Sequence, residues 1–237
     1  MEASANRIDA GRVISEAFAT YREYVGPLLG GALVLIGVAA LVSGLLGSTD
    51  SVVLSLLGSV VVIAAQFLYT GYVVKLVQDV RDGRRDQTVG ELLSAAMPYI
   101  VPLALNGILA GIGIFIGFLL LIVPGLILLT IWAVVSPAIV VENRGVIEAF
   151  GRSRELVRGQ GWTVFAVIVL AFLIVVAVSI AAGLIGDAIG DDAGRVIVQA
   201  IGSVVTVPFA GLVASILFFD LGGGSAAPAA PEPLPSA

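Results

Sequence analysis

Six apolar stretches occupy most of this chain and exclude a water-soluble fold. They lie at about residues 27–47, 52–74, 99–141 (a run long enough for two), 163–186 and 196–219. Of the 237 residues, 59% are hydrophobic and only 12% are charged, whereas a soluble domain carries about 25% charged residues. A membrane-spanning helix needs roughly 20 apolar residues. The pattern therefore predicts an all-α membrane protein with six transmembrane helices arranged as three hairpins.

The run from residue 99 to 141 is too long for a single crossing. Pro124 and Gly125 interrupt it, and proline followed by glycine is typical of a turn between helices. We expect the chain to reverse at residues 123–125. The returning helix, about residues 126–141, is then short for a full span.

The positive charges predict the orientation. Of the 12 Lys and Arg residues, 11 lie in three polar segments, each of which precedes one predicted hairpin, and Arg195 is the exception. Because Lys and Arg concentrate in cytoplasmic loops, we expect both termini to be cytoplasmic in a multi-pass protein of the cell (plasma or inner) membrane. The same face has 13 acidic residues by this topology, so it is not a polybasic surface for nucleic acid.

Each polar segment also predicts an amphipathic helix at the membrane surface. The three helices lie at about residues 9–25, 88–98 and 144–158. Thr88 and Glu91 fit a capping box, Asn143 is placed to cap the third helix, and Glu148 with Arg152 is spaced for an ion pair. We predict one domain over residues 1–221 without a cleaved targeting segment, and a disordered Gly/Ala/Pro-rich tail over 222–237.

Catalytic chemistry has few residues to use here. The chain has no cysteine and no histidine, which removes thiolate nucleophiles, the commonest general base and the commonest metal ligand. No phosphate loop or nucleophile elbow is present. We therefore predict no catalytic residues, no metal and no cofactor, and partners limited to the lipid bilayer and a cytoplasmic protein or a second copy of the chain.

Polar residues within the apolar stretches are the candidate site, because such groups are costly in a membrane. The principal candidates are Gln66, Tyr69, Asn106 and Gln199. Six others share this setting: Thr70, Tyr72, Thr130, Ser136, Ser203 and Thr206. Hydrogen bonding between helices is the simpler interpretation, and a binding site near the midplane is the alternative.

Glycine and proline mark the structural positions. Two GxxxG spacings, Gly107–Gly111 and Gly113–Gly117, fall on nearly opposite faces of the third span and favour close helix packing, within one bundle or in a homodimer. Because small residues lie on two of its faces, this span is expected at the centre of the bundle. Pro137 and Pro208 are expected to kink the fourth and sixth spans.

Several short strings together resemble a known family. They are GYVV (71–74) with DVRDGR (79–84), VPG (123–125) with SPAIVVE (136–142), EAF (148–150) with RS (152–153) and Trp162, and PFA (208–210) with FFDL (218–221). Their order and spacing are similar to the membrane domain fused to some bacterial glycerophosphoryl diester phosphodiesterases, which also stands alone in bacterial membrane proteins. The resemblance covers about residues 8–221.

The resemblance implies a membrane domain and not the hydrolase activity. In the fused proteins, hydrolysis belongs to a separate soluble barrel that uses histidine and acidic residues around a metal. Members of the family often continue the last motif with arginine, whereas Asp220-Leu221 is followed here by three glycines.

The sequence is compatible with three functions. The first is a non-enzymatic domain that anchors or organises partners at the cytoplasmic face. The second is a transporter or permease for a neutral or lipid-like solute. The third and least favoured is a membrane-embedded lipid enzyme working with interfacial carboxylates alone.

Overall fold

The structure is a computed structural model that describes residues 8–47, 51–83, 87–189 and 192–224. Within these ranges the secondary structure is helical, without strands. The helices are α1 (Ala10–Glu23), α2 (Val25–Ala32), α3 (Val38–Gly47), α4 (Val52–Arg81), α5 (Val89–Ala96), α6 (Ile100–Leu120), α7 (Ile122–Ile131), α8 (Val135–Val141), α9 (Val146–Val157), α10 (Gly161–Ile189) and α11 (Asp192–Asp220). A π-helical segment, Leu33–Gly37, joins α2 to α3, and a 3₁₀ turn, Met97–Tyr99, joins α5 to α6.

Five of the helical segments in the described ranges are long and apolar enough to cross a membrane. They are Val25–Gly47, Val52–Arg81, Val89–Leu120, Ile122–Val141 and Gly161–Ala188. The sixth predicted span lies in α11, whose described apolar part is the shorter Thr206–Asp220. Many large apolar side chains, such as Leu119 and Leu184, point outward, as they do where a bundle faces lipid.

Consecutive helices pack in pairs, α3 with α4, α6 with α7, and α10 with α11. Helix α4 is the hub, because it also contacts α5, α6, α8 and α11. The prediction that the third span lies at the centre is wrong. One side of α6 is exposed, including Val101 and Phe115.

Two tyrosines of α4 hold the start of the first span. The Tyr69 hydroxyl donates to the Leu28 carbonyl at 3.0 Å, and the Tyr72 hydroxyl donates to the Pro27 carbonyl at 2.8 Å. Gly31 makes room for the Tyr72 ring, since a Cβ there would lie 2.8 Å from a ring carbon. These bonds satisfy phenol groups that would be costly to bury without a partner.

The hairpin of α6 and α7 reverses earlier than predicted. Its turn is the single extended residue Leu121 (φ −164°, ψ 154°), and Pro124 and Gly125 lie in the first turn of α7. Proline is tolerated there because the first N–H groups of a helix have no intrahelical partner. The reversal therefore precedes the predicted residues 123–125.

The fourth span is interrupted between α7 and α8. Ser153 of α9 bridges the gap, because its hydroxyl donates to the Ile131 carbonyl at 2.8 Å and accepts from the Val134 N–H at 3.3 Å. Pro137 is the third residue of α8, so it lies in the first turn of a new helix, and the predicted kink at Pro137 is replaced by this break. Pro208 lies inside α11.

Three of the four glycines in the GxxxG spacings meet a neighbour in this chain. A Cβ on Gly107 would lie 2.7 Å from the Phe67 ring, one on Gly113 would lie 2.6 Å from the Trp132 ring, and one on Gly117 would lie 2.9 Å from the Gly125 Cα. Gly111 has nothing within 4 Å. Close packing at these positions is thus made within one chain.

The polar segments before the hairpins contain helices α1, α5 and α9, near the predicted positions. The capping box of Thr88 and Glu91 is confirmed. The predicted cap at Asn143 is wrong, because Gly145 is the N-cap residue and Asn143 adopts a left-handed φ of 50° before it. Arg152 pairs with Glu142 and Glu155, whereas the predicted partner was Glu148. The predicted tail lies outside the described residues from residue 225 onward.

Candidate functional site

A cavity of about 390 Å³ lies among α4, α8, α10 and α11. Its polar lining consists of Gln66, Tyr69, Thr70, Ser136 and Thr206. The rest of the lining is apolar and small: Val73, Val74, Pro137, Val175, Val207, Ala210, Gly211 and Ala214. The cavity combines an apolar wall with a few hydroxyl and amide groups, as ligand sites commonly do.

Helical spacing places the α4 residues on one side of that helix. Tyr69 and Thr70 follow Gln66 by three and four positions, and Val73 follows them by four and three, so the four residues share a face. On the opposite wall, Gly211 of α11 faces Val73, and a Cβ there would lie 3.0 Å from a Val73 methyl carbon. The cavity therefore lies beside a close contact between α4 and α11.

Ser136 reaches the cavity because the fourth span is broken. It is the second residue of α8, directly after the interruption that Ser153 bridges. An unbroken helix from residue 122 would carry Ser136 in a different direction. The position of this hydroxyl therefore depends on a hydrogen bond from α9.

Asn106 does not line the cavity but supports it. Its Nδ2 donates to the Ser136 Oγ at 3.2 Å, and the residue is 7% exposed. The other amide atom, Oδ1, is buried without a hydrogen-bond partner in the described structure. A buried acceptor without a partner costs about 1–3 kcal/mol, a cost that an apolar residue at this position would not have.

The cavity is electrically neutral. Among the described residues that line it, none carries a charge at neutral pH. The described residues also contain no group of three or more His, Cys, Asp or Glu side chains that could hold a metal ion. The chemistry available at this site is hydrogen bonding and apolar contact.

Charged side chains cluster at the helix ends instead. Asp220 at the end of α11 accepts from Arg12 of α1 at 2.8 Å and from Arg81 of α4 at 3.2 Å, and Arg81 also pairs with Glu16 at 2.6 Å. The Asp220 side chain is only 6% exposed. This first ion-pair cluster ties the ends of three helices together.

A second cluster surrounds Glu142, directly after α8. Its side chain, 3% exposed, accepts from Arg144 at 2.6 Å, from Arg152 at 3.0 Å and from the Gly224 N–H at 3.3 Å. Burial raises the pKa of the Glu142 carboxyl, but the three hydrogen bonds outweigh burial and hold that pKa below its ordinary value. The pKa of Arg152 is raised, chiefly by its hydrogen bond to Glu142.

The predicted polar candidates are partly brought together. Gln66 and Tyr69 line the cavity, and Asn106 touches it through Ser136. The Gln199 side chain lies outside the described residues. Thr130 is elsewhere and donates to its own helix at Leu126. Sequence reasoning missed Ala210, Gly211 and Ala214, whose small size opens the cavity but which carry no polar signal.

A second concavity of about 560 Å³ lies between α7 and the start of α10. Leu126, Ile127 and Ile131 form one wall, and Trp162 and Phe165 form the other. Trp162 is 85% exposed, and tryptophan is enriched where a membrane meets water. This groove has the composition of a lipid-facing surface.

The apolar helices define an integral membrane protein of the multi-pass helical class. A UPF0259 membrane protein of Pectobacterium carotovorum subsp. carotovorum (strain PC1) is 33% identical to this chain over 108 residues. The match spans 45% of this chain and 42% of the relative, so it covers less than half of either protein. No protein-family model matches the chain, and no solved structure does. These comparisons give no support to a link with phosphodiesterase-associated membrane domains.

Proposed function

We propose that this protein binds a neutral, lipid-like solute within the membrane and carries it as a permease. The observation that supports this function is the uncharged cavity lined by Gln66, Ser136 and Thr206. Its volume of about 390 Å³ is near the lower end of the range for small-molecule sites, roughly 300–1,000 Å³. Sites in many transporters lie similarly between interrupted helices.

The ligand enters from the lipid in this proposal. Ala210 lines the cavity and is exposed on the outside of the bundle. A solute dissolved in the bilayer can therefore reach the hydroxyl and amide groups without crossing a charged surface. The neutral lining favours an uncharged solute, because a charge would be desolvated here without a partner.

The topology of the proposal has six spans with both termini cytoplasmic and α1, α5 and α9 at the cytoplasmic interface. Its support is the excess of Lys and Arg in the three segments before the hairpins and the ion pairs that bring the ends of α1, α4 and α11 together.

Because the native chain has no cysteine, single cysteines can report which side of the membrane a residue faces. Gly90→Cys and Gly145→Cys should react with an impermeant maleimide from the cytoplasmic side, and Ser51→Cys only from the opposite side. Labelling of all three from one side would overturn this topology.

Transport is tested by flux into proteoliposomes. Ala214→Phe fills the cavity and should lower uptake of a tritiated long-chain alcohol into an internal acceptor phase to the rate of empty liposomes. Ala177→Phe is the matched control, because Ala177 is an exposed residue of α10 outside the cavity. Equal flux in both variants and in empty liposomes would show that the protein does not carry such a solute.

An anchoring or organising role is the second candidate, and one surface favours it. Helix α9 exposes a face of mixed charge and apolar character. Its members are Ile147, Glu148, Gly151, Arg154, Glu155 and Arg158. Such a face suits a cytoplasmic protein partner or a second copy of the chain. Arg154→Glu with Arg158→Glu should weaken site-specific photocrosslinking from position 147 to that partner, and an unchanged crosslinking pattern would count against the role.

We also propose that the chain is not itself an enzyme. Its lack of histidine and cysteine removes the commonest general base and any thiolate nucleophile. Steady turnover of a glycerophosphodiester or another lipid by the purified protein would contradict this.

A further inference from the structure

We infer that the cavity selects ligands with a hydroxyl group, which accepts a hydrogen bond from Ser136 and donates one to Gln66. Asn106 is a positioning residue for Ser136 in this scheme. The inference rests on the proposed function, since it names the ligand class of the same site. It follows from counting which hydrogen-bonding groups of the lining are already used.

Most hydroxyl protons at the cavity are not available to a ligand. Thr70 donates to the Gln66 carbonyl at 3.0 Å, and Thr206 donates to the Gly202 carbonyl at 3.0 Å. Tyr69 donates to the Leu28 carbonyl at 3.0 Å. Each hydroxyl has one proton, so these three residues can only accept from a ligand.

Ser136 differs from the other hydroxyl residues. Its Oγ accepts a hydrogen bond from the Asn106 Nδ2, and in the described structure its own proton has no acceptor. The amide therefore occupies one lone pair of the hydroxyl and leaves the O–H to point elsewhere. The cavity that Ser136 lines is the space in which an acceptor can meet it.

The Gln66 side chain supplies the complementary group. Within the described residues its amide has no hydrogen-bond partner, although its backbone carbonyl receives the Thr70 proton. A primary amide offers an acceptor oxygen and two donor protons. An alcohol in the cavity can thus donate to the Gln66 oxygen while it accepts from Ser136.

Asn106 gives independent support for a ligand-binding role. An apolar residue at this buried position would avoid the unpartnered Oδ1, so Asn106 is a poor choice for stability alone. Its hydrogen bond to Ser136 is the one interaction of the side chain seen in the described structure. Residues that lower stability while orienting a binding group are common at functional sites.

Three ligands that share a dodecyl chain separate the two hydrogen bonds. Dodecanol can accept and donate, its methyl ether can only accept, and dodecane can do neither. The affinity for tritiated dodecanol is measured by scintillation proximity on the purified full chain, and the other two are measured by competition. In the wild-type protein each lost hydrogen bond should weaken binding roughly 3- to 10-fold.

Each variant should reduce one of the two affinity differences among these ligands. Ser136→Ala should reduce the advantage of the ether over the alkane, while Ser136→Thr keeps the hydroxyl and should retain it. Gln66→Leu should reduce the advantage of the alcohol over the ether. Ser215→Ala is the matched control, because Ser215 is buried on α11, donates to Gly211 and does not line the cavity.

Asn106→Leu separates positioning from folding. It should reduce the preference for the ether over the alkane while the melting temperature stays unchanged or rises. A merely structural role predicts the reverse, with a lower melting temperature and unchanged ligand preference.

The outcomes distinguish this inference from the proposed function. If the wild-type protein binds no dodecanol, the proposed function itself is wrong. If the three ligands bind the wild-type protein with equal affinity, the site binds lipid-like solutes without selecting a hydroxyl group. The same conclusion follows if Ser136→Ala and Gln66→Leu bind the three ligands with the same affinity differences as the wild type. The inference is supported if the wild-type protein binds dodecanol more tightly than the ether and the ether more tightly than dodecane, and if each variant shows its expected loss.

Discussion

Gly117 and Gly111 lie on the same helix, but only Gly117 meets another backbone. Its Cβ position is 2.9 Å from the Gly125 Cα and 3.0 Å from the Gly125 nitrogen, and neither atom can move aside alone. Gly117→Ala should therefore separate α6 from α7 and lower the free energy of unfolding by about 1–3 kcal/mol. Gly111→Ala, with open space around it, should leave stability unchanged or raise it by up to about 1 kcal/mol. Reversible unfolding in mixed micelles measures both, and equal effects would refute the close contact.

The Glu142 carboxylate should make the stability of the protein depend on pH in the acidic range. Its pKa is held below the ordinary value in the fold, so its contribution is present above the unfolded pKa and is lost as pH falls through the folded pKa. The loss should develop below about pH 4.5, given an unperturbed glutamate pKa of about 4.3.

Glu142→Gln should lower stability at neutral pH and flatten the acidic part of the stability profile, because the variant has no carboxylate to protonate. Glu148→Gln, an exposed neighbour on α9, is the control and should follow the wild-type profile. Melting temperatures between pH 3 and pH 7 provide the measurement. Parallel profiles for wild type and Glu142→Gln would contradict the role of the second ion-pair cluster.

At the scale of elements, the interruption between α7 and α8 depends on one hydroxyl. Ser153→Ala leaves the Val134 N–H and the Ile131 carbonyl without the partner they have in the fold. Each buried unpaired group costs about 1–3 kcal/mol, so we expect a loss of about 2–4 kcal/mol. Ser179→Ala is the control, since Ser179 is exposed and donates to its own helix at Val175. A difference below about 0.5 kcal/mol between the two variants would count against the bridging role.

The elements show which features a sequence can predict. The capping box of Thr88 and Glu91 was predictable because its two members are three residues apart and bond to each other. The break after Ile131 was not, because Trp132-Ala133-Val134 contains no glycine or proline and its partner, Ser153, lies on another helix. Pro124 and Pro137 did indicate disturbed helices, but each lies in the first turn after the irregularity, where proline is tolerated.

At the scale of the whole molecule, the arginines that predict orientation also join helix ends. Arg12 and Arg81 converge on Asp220, and Arg144 and Arg152 converge on Glu142. In the sequence, these residues indicate the orientation of the chain in the membrane, on a surface of mixed charge. The structure adds that these arginines form their ion pairs within the chain.

The candidate site was only partly predictable at this scale. Gln66, Tyr69 and Asn106 were identifiable because they are polar in apolar surroundings. Their assembly with Ser136 and Thr206 could not be predicted, because it depends on the packing of α4 against α8 and α11. The small residues Gly211 and Ala214 leave room for the cavity. They could not be identified from the sequence, because small residues are common throughout membrane helices.

Photolabelling with a diazirine analogue of dodecanol tests most directly whether the cavity holds a neutral, lipid-like ligand. The full chain in nanodiscs is labelled with and without excess dodecanol, and the labelled peptides are mapped by mass spectrometry. We predict labels that dodecanol removes, within residues 66–74 of α4, 136–137 of α8 and 206–214 of α11. Labels confined to lipid-facing residues such as Phe115 and Phe172, and unchanged by excess dodecanol, would contradict the account.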